Sequence, residues 1–167
     1  IDDPFYSDNE LRMDWITDCD WLFQTKFDFN GNIKNNVDLV FEGLDTITDI
    51  YLNNIRLGGT DNMFIKYRYN VKNILKPKGN KLKVLFKSPT RFAVDEENKY
   101  GKLPVALNST RVYIRKAQYS FGWDWGPTFP TSGIWRNDGK CRNLLGNFQH
   151  PGRPSGPREM GLSTLIA

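Results

Sequence analysis

The sequence predicts an all-β protein, specifically an antiparallel β-sandwich of the jelly-roll type. Apolar and polar residues alternate with a period of two in several short segments, which is the pattern of half-buried strands. These segments recur roughly every 10 residues and are bounded by turn residues, as in sandwiches and barrels. Helical periodicity of useful length is absent, so we expect neither a parallel α/β sheet nor a helical bundle.

The first two predicted strands carry the clearest alternation. In the segment 21–29, one face contains Trp21, Phe23, Thr25, Phe27 and Phe29. An Asn-Gly turn signal at 30–31 follows, and the segment 37–43 repeats the pattern with three further apolar residues facing inward, namely Val37, Leu39 and Phe41. Both segments should bury one face.

The middle of the chain predicts a hairpin and three more strands. The segment 49–59 reads as two short strands about Asn53-Asn54, whose side chains tolerate the left-handed backbone of a tight turn. Further strands are expected at three places, at 64–71, 81–87 and 111–116, with at most one helical turn near 70–76. The region 88–107, with its charged Glu96 and Glu97, is predicted to be a long irregular loop.

Composition narrows the classes of function. A chain of 167 residues with 39% hydrophobic residues fits one folded domain. Its net charge of +4 comes from 23 basic and 19 acidic residues, and the basic residues form no cluster along the sequence. We therefore expect the charged residues to lie on a solvated surface, and we expect neither a nucleic-acid nor a membrane partner. Two cysteines, Cys19 and Cys141, are too few for a disulfide scaffold or a zinc site. The sequence allows one disulfide bond between them. No cofactor motif is present, so no cofactor is expected.

Residues 137–167 differ from the rest of the chain. They contain 5 of the 14 Gly and 3 of the 9 Pro residues and show no sustained periodicity. We therefore predict an irregular tail that is disordered or non-native. His150, the only histidine, lies in this tail, which argues against a Ser-His-Asp triad or a histidine metal site.

The stretch SFGWDWGPTFPTSGIWR, residues 120–136, contains three of the five tryptophans. Trp123 and Trp125 flank Asp124, and glycines and prolines interrupt the segment. Tryptophan rings can lie against the C–H faces of a sugar while a carboxylate accepts hydrogen bonds from its hydroxyls. An alternative is that the tryptophans belong to the core and Asp124 caps backbone amides. The residues alone leave both readings open.

At these residues the sequence resembles a known family. The segment YIRKAQYSFGWDWGPTFPTSGIWR is similar to the end of the N-terminal domain of β-mannosidases, which belong to the same clan of retaining glycoside hydrolases as β-galactosidases and β-glucuronidases. Three earlier segments match in the same order: DPFYSDNELRMDWI, VFEGLDTITDIYLNN and GTDNMFIKYRYNV. The likeness covers residues 1–136.

The resemblance implies a galactose-binding-like jelly roll that packs against a (β/α)₈ barrel. The catalytic glutamates of this family lie on that barrel, so the resemblance assigns no catalytic residue to this chain. By this resemblance, Asp124 binds a hydroxyl of the terminal mannose and Trp123 contacts the sugar. Trp125 belongs either to the wall of the sugar site or to the core of the domain. Arg115 pairs with Asp124, with the sugar, or in a structural salt bridge.

Four further residues also match family segments and have structural roles by this comparison. Asn62 is expected to fix a turn, Trp15 and Trp21 to lie in the core, and Trp135 to pack where this domain meets its neighbours.

The likeness ends after Arg136, where family members continue with a strand that closes the sandwich. We therefore expect a sandwich without this closing strand and with an unpaired edge, from a truncated or mis-joined reading frame or from a genuine isoform.

The expected function is that of the N-terminal domain of a lysosomal or secreted β-mannosidase, which hydrolyses terminal non-reducing β-D-mannose residues and is inactive in this form. A stand-alone weak carbohydrate-binding module is the alternative, and a nucleic-acid-binding β-domain ranks far behind. Asn108-Ser109-Thr110 fits the N-glycosylation pattern and agrees weakly with a secretory route.

Overall fold

The computed structural model describes residues 2–4, 6–31, 36–106, 108–124, 126–136 and 165–166. Within these residues every strand pairing in a sheet is antiparallel, so the predicted all-β class is confirmed. The strands, in chain order, are β1 Trp21–Phe27, β2 Asp38–Phe41, β3 Leu44–Asp45, β4 Thr48–Leu52, β5 Ile55–Thr60, β6 Tyr67–Asn70, β7 Asn80–Phe86, β8 Phe121–Trp123, β9 Gly126–Thr128, β10 Gly133–Ile134 and β11 Leu165–Ile166.

The largest sheet has the order β1-β7-β4-β5, and a second sheet has the order β11-β2-β6. Two small sheets, β10-β3 and β8-β9, complete the described part of the chain. Side chains of β1, β4 and β7 share one apolar core with side chains of β2, so the two large sheets bury their inner faces against each other.

Strand β7 lies between β1 and β4 and shows the strictest alternation, with Asn80, Leu82, Val84 and Phe86 buried. Its register places Val84 opposite Phe23 of β1 on one side and opposite Ile50 of β4 on the other. Apolar side chains of three strands therefore stack on one face. The inward residues predicted for 21–29 and 37–43 are buried as expected, except that Trp21 is only half-buried.

The predicted hairpin at 49–59 is confirmed. Asn53 and Asn54 have φ values of 52° and 68°, in the left-handed region that asparagine tolerates at tight turns. The side chain of Asn53 also contacts β7, because its Nδ2 donates to Oδ1 of Asn80 at 3.0 Å and its Oδ1 accepts from the amide of Lys81 at 2.9 Å.

Asn80 connects this hairpin to the turn before β7. It is fully buried, and its Oδ1 also accepts a hydrogen bond from the amide of Lys76 at 2.8 Å. Its Nδ2 donates to the carbonyl of Lys76 at 2.6 Å and to that of Phe27 at 3.4 Å. A buried amide with this many partners fixes the backbone around it.

The prediction of an irregular loop at 88–107 is wrong over more than half of its length, because helix α3 spans Pro89–Tyr100. Ser88 caps it by accepting from the amide of Arg91, and Gly101 ends it at φ 83°. The helix buries only Pro89 and Ala93, so it lacks a broad apolar stripe. Glu96 and Glu97 therefore lie on a helix. Two short helices, α1 Asn9–Met13 and α2 Trp15–Asp18, were also not predicted.

Three other expectations need correction. The strand predicted at 111–116 is wrong, because residues Ser109–Tyr113 form a 3₁₀ helix. The strand predicted from residue 64 begins only at Tyr67. Trp15 is 45% exposed and does not belong to the core.

Residues 137–164, including Cys141 and His150, lie outside the described residues, so the predicted tail remains a prediction there. Residues 165–166 form the short strand β11, whose Leu165 and Ile166 pair with Leu39 and Asp38 of β2. Among the helices of the described segments, none is long and apolar enough to span a membrane.

Replacement of Asn80 by Ala should lower the free energy of unfolding by about 3 kcal/mol, because it removes the buried hydrogen bonds that Asn80 makes to backbone groups of Lys76 and Phe27 and to the side chain of Asn53. Urea denaturation monitored by circular dichroism measures this change. Asn73→Ala, at an exposed asparagine of the same turn region, is the matched control and should shift the curve little. Equal losses in both variants would contradict the role assigned to Asn80.

Candidate functional site

The aromatic stretch forms a small β-hairpin. Strands β8 and β9 pair with Phe121 opposite Thr128 and Trp123 opposite Gly126, so Asp124 lies in the turn between them. Trp125 lies outside the described residues. Gly122 adopts φ 84°, a conformation that favours glycine.

The base of this hairpin is buried and its tip is exposed. Phe121 and Phe129 are buried, and the amide of Phe129 donates to the carbonyl of Ser120 at 2.9 Å. Trp123 is 47% exposed, and Asp124 is exposed. Trp123 and Asp124 are thus consecutive exposed residues at the tip of the hairpin, and the exposure of Trp123 does not fit the interpretation in which its ring belongs to the core.

Arg115 lies on the segment that precedes the hairpin. Its Nη1 pairs with Oδ2 of Asp61 at 3.1 Å, and both side chains are well exposed. The structure therefore shows a salt bridge to Asp61, while no ion pair joins Arg115 to Asp124 in the described part of the chain. An exposed pair of this kind contributes between 0 and about 1 kcal/mol, so the guanidinium can exchange Asp61 for another anionic or hydroxyl partner at little cost.

Asn62 fixes a turn, as predicted. Its Oδ1 accepts from the amide of Phe64 at 2.9 Å. The hydroxyl of Tyr67 closes the same turn, because it accepts from the amide of Asn62 at 2.9 Å and donates to Oδ1 of Asp61 at 2.9 Å. Burial raises the pKa of Tyr67 above its ordinary value, so the hydroxyl keeps its proton at neutral pH. The partner of Arg115 is thus itself held in place.

Trp135 joins this turn to the sheet. Its Nε1 donates to the carbonyl of Met63 at 2.9 Å, and its backbone amide donates to the carbonyl of Gly43 at 3.2 Å. A Cβ at Gly43 would lie 2.6 Å from Nε1 of Trp135, so the ring requires glycine beneath it. Trp135 nevertheless stays 44% exposed, with Arg136 over its ring at 4.6 Å. Its predicted contact with neighbouring domains remains a prediction.

Lys116, which the sequence did not single out, is the least expected residue of this region. Its side chain is almost fully buried, and its Nζ contacts a carboxylate oxygen of Asp45 and donates to the carbonyl of Thr131 at 2.6 Å. Burial lowers the pKa of Lys116, and the Asp45 carboxylate opposes part of this shift. Its partners lie 71 and 15 residues away along the chain, so no local pattern could have revealed them.

The structure thus places the consecutive residues Trp123 and Asp124 at the exposed tip of the hairpin, and Arg115, on the segment before it, pairs with Asp61. Asn108 lies apart from the hairpin in sequence, as the N-cap of the 3₁₀ helix at Ser109–Tyr113. Its exposed side chain accepts from the amide and the hydroxyl of Thr110 at 3.0 and 2.7 Å. Chemically, the hairpin offers one flat apolar face and one hydrogen-bond acceptor.

Comparisons with known proteins agree with these features. Residues 1–136 match the family described as "Glycosyl hydrolase 2 galactose-binding domain-like". The chain is 38% identical over 148 residues to the beta-mannosidase of Rattus norvegicus, covering 82% of this chain and 17% of the relative. It is 36% identical over 149 residues to a probable beta-mannosidase of Caenorhabditis elegans, covering 80% of this chain and 16% of the relative.

A solved structure gives the same result. The crystal structure of beta-D-mannosidase from Dictyoglomus thermophilum matches 81% of this chain with a TM-score of 0.77 and 46% identity. The match covers 17% of that protein. The chain therefore spans less than a fifth of the length of the proteins it resembles.

Replacement of Gly122 by Ala should destabilise the hairpin by about 1–3 kcal/mol, the cost of a left-handed backbone in a residue with a side chain. The new Cβ would also lie 2.4 Å from Oγ1 of Thr128. Thermal unfolding and the amide spectrum of residues 121–128 measure the effect. Gly126→Ala is the matched control, because a Cβ there meets nothing within 4 Å. A Gly122→Ala protein with an unchanged spectrum would show that the hairpin does not need glycine.

Proposed function

The chain belongs to the galactose-binding-like domain family of glycosyl hydrolase 2, and on this premise we propose that it supplies one wall of the mannose subsite of a β-mannosidase. In this proposal residues 1–136 form the domain. The complete protein hydrolyses terminal non-reducing β-D-mannose residues of oligosaccharides. Its catalytic glutamates lie on a (β/α)₈ barrel outside these 167 residues, and this chain alone is inactive.

The observation that carries the proposal is the hairpin with a buried base and an exposed tip. The half-exposed indole of Trp123 offers an apolar face to the C–H groups of a pyranose ring. The exposed carboxylate of Asp124 follows it directly and accepts hydrogen bonds from ring hydroxyls. In this role Asp124 is a substrate clamp and takes no part in bond cleavage.

Two neighbouring residues complete the proposed wall. Arg115 donates to sugar hydroxyls from the rim, and its weak pairing with exposed Asp61 leaves it available for this. By the same resemblance, Trp125 belongs either to this wall or to the core of the domain. Neither residue is required for the contact made by Trp123 and Asp124.

A stand-alone carbohydrate-binding module is the second candidate. It is favoured by the fact that the hairpin itself carries both an apolar face and a hydrogen-bond acceptor. A single aromatic ring with one carboxylate buries little of a sugar, so this module would bind weakly and without catalysis.

We further propose that the protein follows a secretory route to the lysosome or the cell exterior, with an N-glycan on Asn108. Asn108-Ser109-Thr110 is the only such triplet in the sequence. Asn108 is exposed, and the hydroxyl of Thr110 donates to its Oδ1. An exposed acceptor on a surface turn is accessible for this modification.

Titration of the labelled chain with methyl β-D-mannopyranoside should shift the indole signal of Trp123 and the amide signal of Asp124, with a dissociation constant in the millimolar range. Asp124→Asn should weaken binding about tenfold, because a neutral amide oxygen replaces the charged acceptor of a hydrogen bond. Asp95→Asn, at an exposed carboxylate on α3, is the matched control. Absence of any shift at Trp123 or Asp124 would contradict both candidate functions.

A second measurement in the same experiment separates binding from catalysis. The chain should not hydrolyse p-nitrophenyl β-D-mannoside, because the proposal places the catalytic glutamates elsewhere. Turnover that survives purification and is lost on substitution of a carboxylate of this chain would overturn that assignment.

Expression through the secretory pathway of a eukaryotic cell should add a glycan that the amidase PNGase F removes, with a corresponding loss of mass. Asn108→Gln and Thr110→Ala should each abolish the mass difference. Asn98→Gln, an exposed asparagine outside the triplet, should leave it unchanged. Identical masses with and without the enzyme would exclude a glycan at Asn108.

A further inference from the structure

The ammonium group of Lys116 connects three separate parts of the chain. The residue is 2% exposed, whereas most charged side chains in the described segments lie at the surface. Its Nζ is hydrogen-bonded to the carbonyl of Thr131 at 2.6 Å and is in contact with the carboxylate of Asp45. Lys116 precedes the hairpin in sequence, and Thr131 follows it. One cation thus joins the entry and the exit of the segment 117–130.

Backbone hydrogen bonds continue this closure toward the tip. The amide of Phe129 donates to the carbonyl of Ser120 at 2.9 Å and so joins the two arms, while the amide of Ser120 donates to the carbonyl of Ala117 at 3.1 Å within the first arm. Strands β8 and β9 then pair up to Trp123 and Gly126. Between the ammonium and the turn at Asp124, the two arms of the segment are therefore joined again between Ser120 and Phe129 and along β8 and β9.

Asp45 fixes this closed segment to the body of the domain. It lies at the end of β3 and pairs with Gly133 of β10, beside the buried residues Leu44 and Ile134. Its side chain also accepts a hydrogen bond from the hydroxyl of Thr46. The ion pair consequently sets where the hairpin stands relative to the core.

The burial of two paired charges contributes little by itself to the stability of a fold. Desolvation of each ion costs several kcal/mol, and apolar residues of similar volume in the same place are often as stable or more stable. What an apolar pair cannot do is donate to the Thr131 carbonyl and orient it. A methionine of similar volume could be buried at this position, but it could not make the directional hydrogen bonds of Lys116.

We propose that Lys116 is a positioning residue that, through Asp45 and Thr131, holds the hairpin so that Trp123 and Asp124 present their side chains in one fixed arrangement to a sugar. This inference rests on the proposed function for the sugar, but the fixed arrangement itself is independent of it. Lys116 contacts no substrate in this role.

Fluorotryptophan labelling followed by ¹⁹F NMR reads the arrangement directly. The signal of Trp123 is assigned by its loss in Trp123→Phe, and Trp15 and Trp21, whose rings lie 6.1 Å apart near the N-terminus, serve as internal references. In Lys116→Met the Trp123 signal should broaden or split while the signals of Trp15 and Trp21 stay unchanged. Spectra are recorded well below the melting temperature of each variant.

Asn80→Ala controls for general loss of stability, because it removes a buried polar network far from the hairpin in sequence. It should lower the melting temperature and leave the Trp123 signal as in the wild type. If the Trp123 signal responds alike in Asn80→Ala and Lys116→Met, or responds in neither, the positioning role is wrong.

The double variant Asp45→Asn/Lys116→Met covers the case in which Lys116→Met does not fold, since it leaves no unpaired buried charge. It should recover melting temperature relative to Lys116→Met but keep the altered Trp123 signal and bind methyl β-D-mannopyranoside several-fold more weakly than the wild type. Full recovery of the Trp123 signal together with stability would overturn the proposal. Because the ¹⁹F signal is read without sugar, failure of wild-type binding would count against the proposed function alone.

Discussion

The register of β7 is the constraint on which the described fold depends. This strand is hydrogen-bonded on both sides, and it buries every second side chain from Asn80 to Phe86. Since side chains alternate across a sheet, a slip by one residue would turn all four inward residues toward the opposite face. The same slip would remove Asn80 from its backbone partners. Apolar packing and a buried amide therefore specify one register together.

Polar anchors set the position of the candidate site in the same way. The turn at Asp61–Asn62 is held by the Tyr67 hydroxyl, and Met63 within that turn donates its amide to the carbonyl of Arg115 at 3.0 Å. Trp135 donates to the carbonyl of the same methionine. Segments from three parts of the chain thus meet beside the hairpin through directional contacts, whereas the sandwich is held mainly by apolar ones.

The strands could be predicted because alternation is a local signal. Residues 21–29 and 81–87 and the Asn53-Asn54 turn needed no knowledge of their partners. Helix α3 was missed because it buries only two of its residues, although its Ser88-Pro89 start and its glycine end were present in the sequence. The 3₁₀ helix at Ser109–Tyr113 was missed because it ends in Val112 and Tyr113, which with Ile114 form a run of β-branched and aromatic residues that favours a strand.

The candidate site likewise has one part that could be predicted from the sequence and one part that could not. The hairpin tip was predictable because aromatic residues, a carboxylate and glycines are neighbours in sequence. The pairing of Arg115 with Asp61 and of Lys116 with Asp45 was not, since these contacts span 54 and 71 residues. Long-range ion pairs leave no periodic pattern in a single sequence.

The order of strands in the large sheet also has a consequence for how the chain folds. Trp21 of β1 lies opposite Phe86 of β7, so the first strand has no partner until most of the sandwich has been synthesised. Such non-local pairings carry a high loop-closure cost and fold slowly. The hairpin of β8 and β9 comes later still, because Lys116, which contacts Asp45, cannot donate to the carbonyl of Thr131 before Thr131 has left the ribosome. The sandwich can thus assemble as a scaffold before the site is added to it.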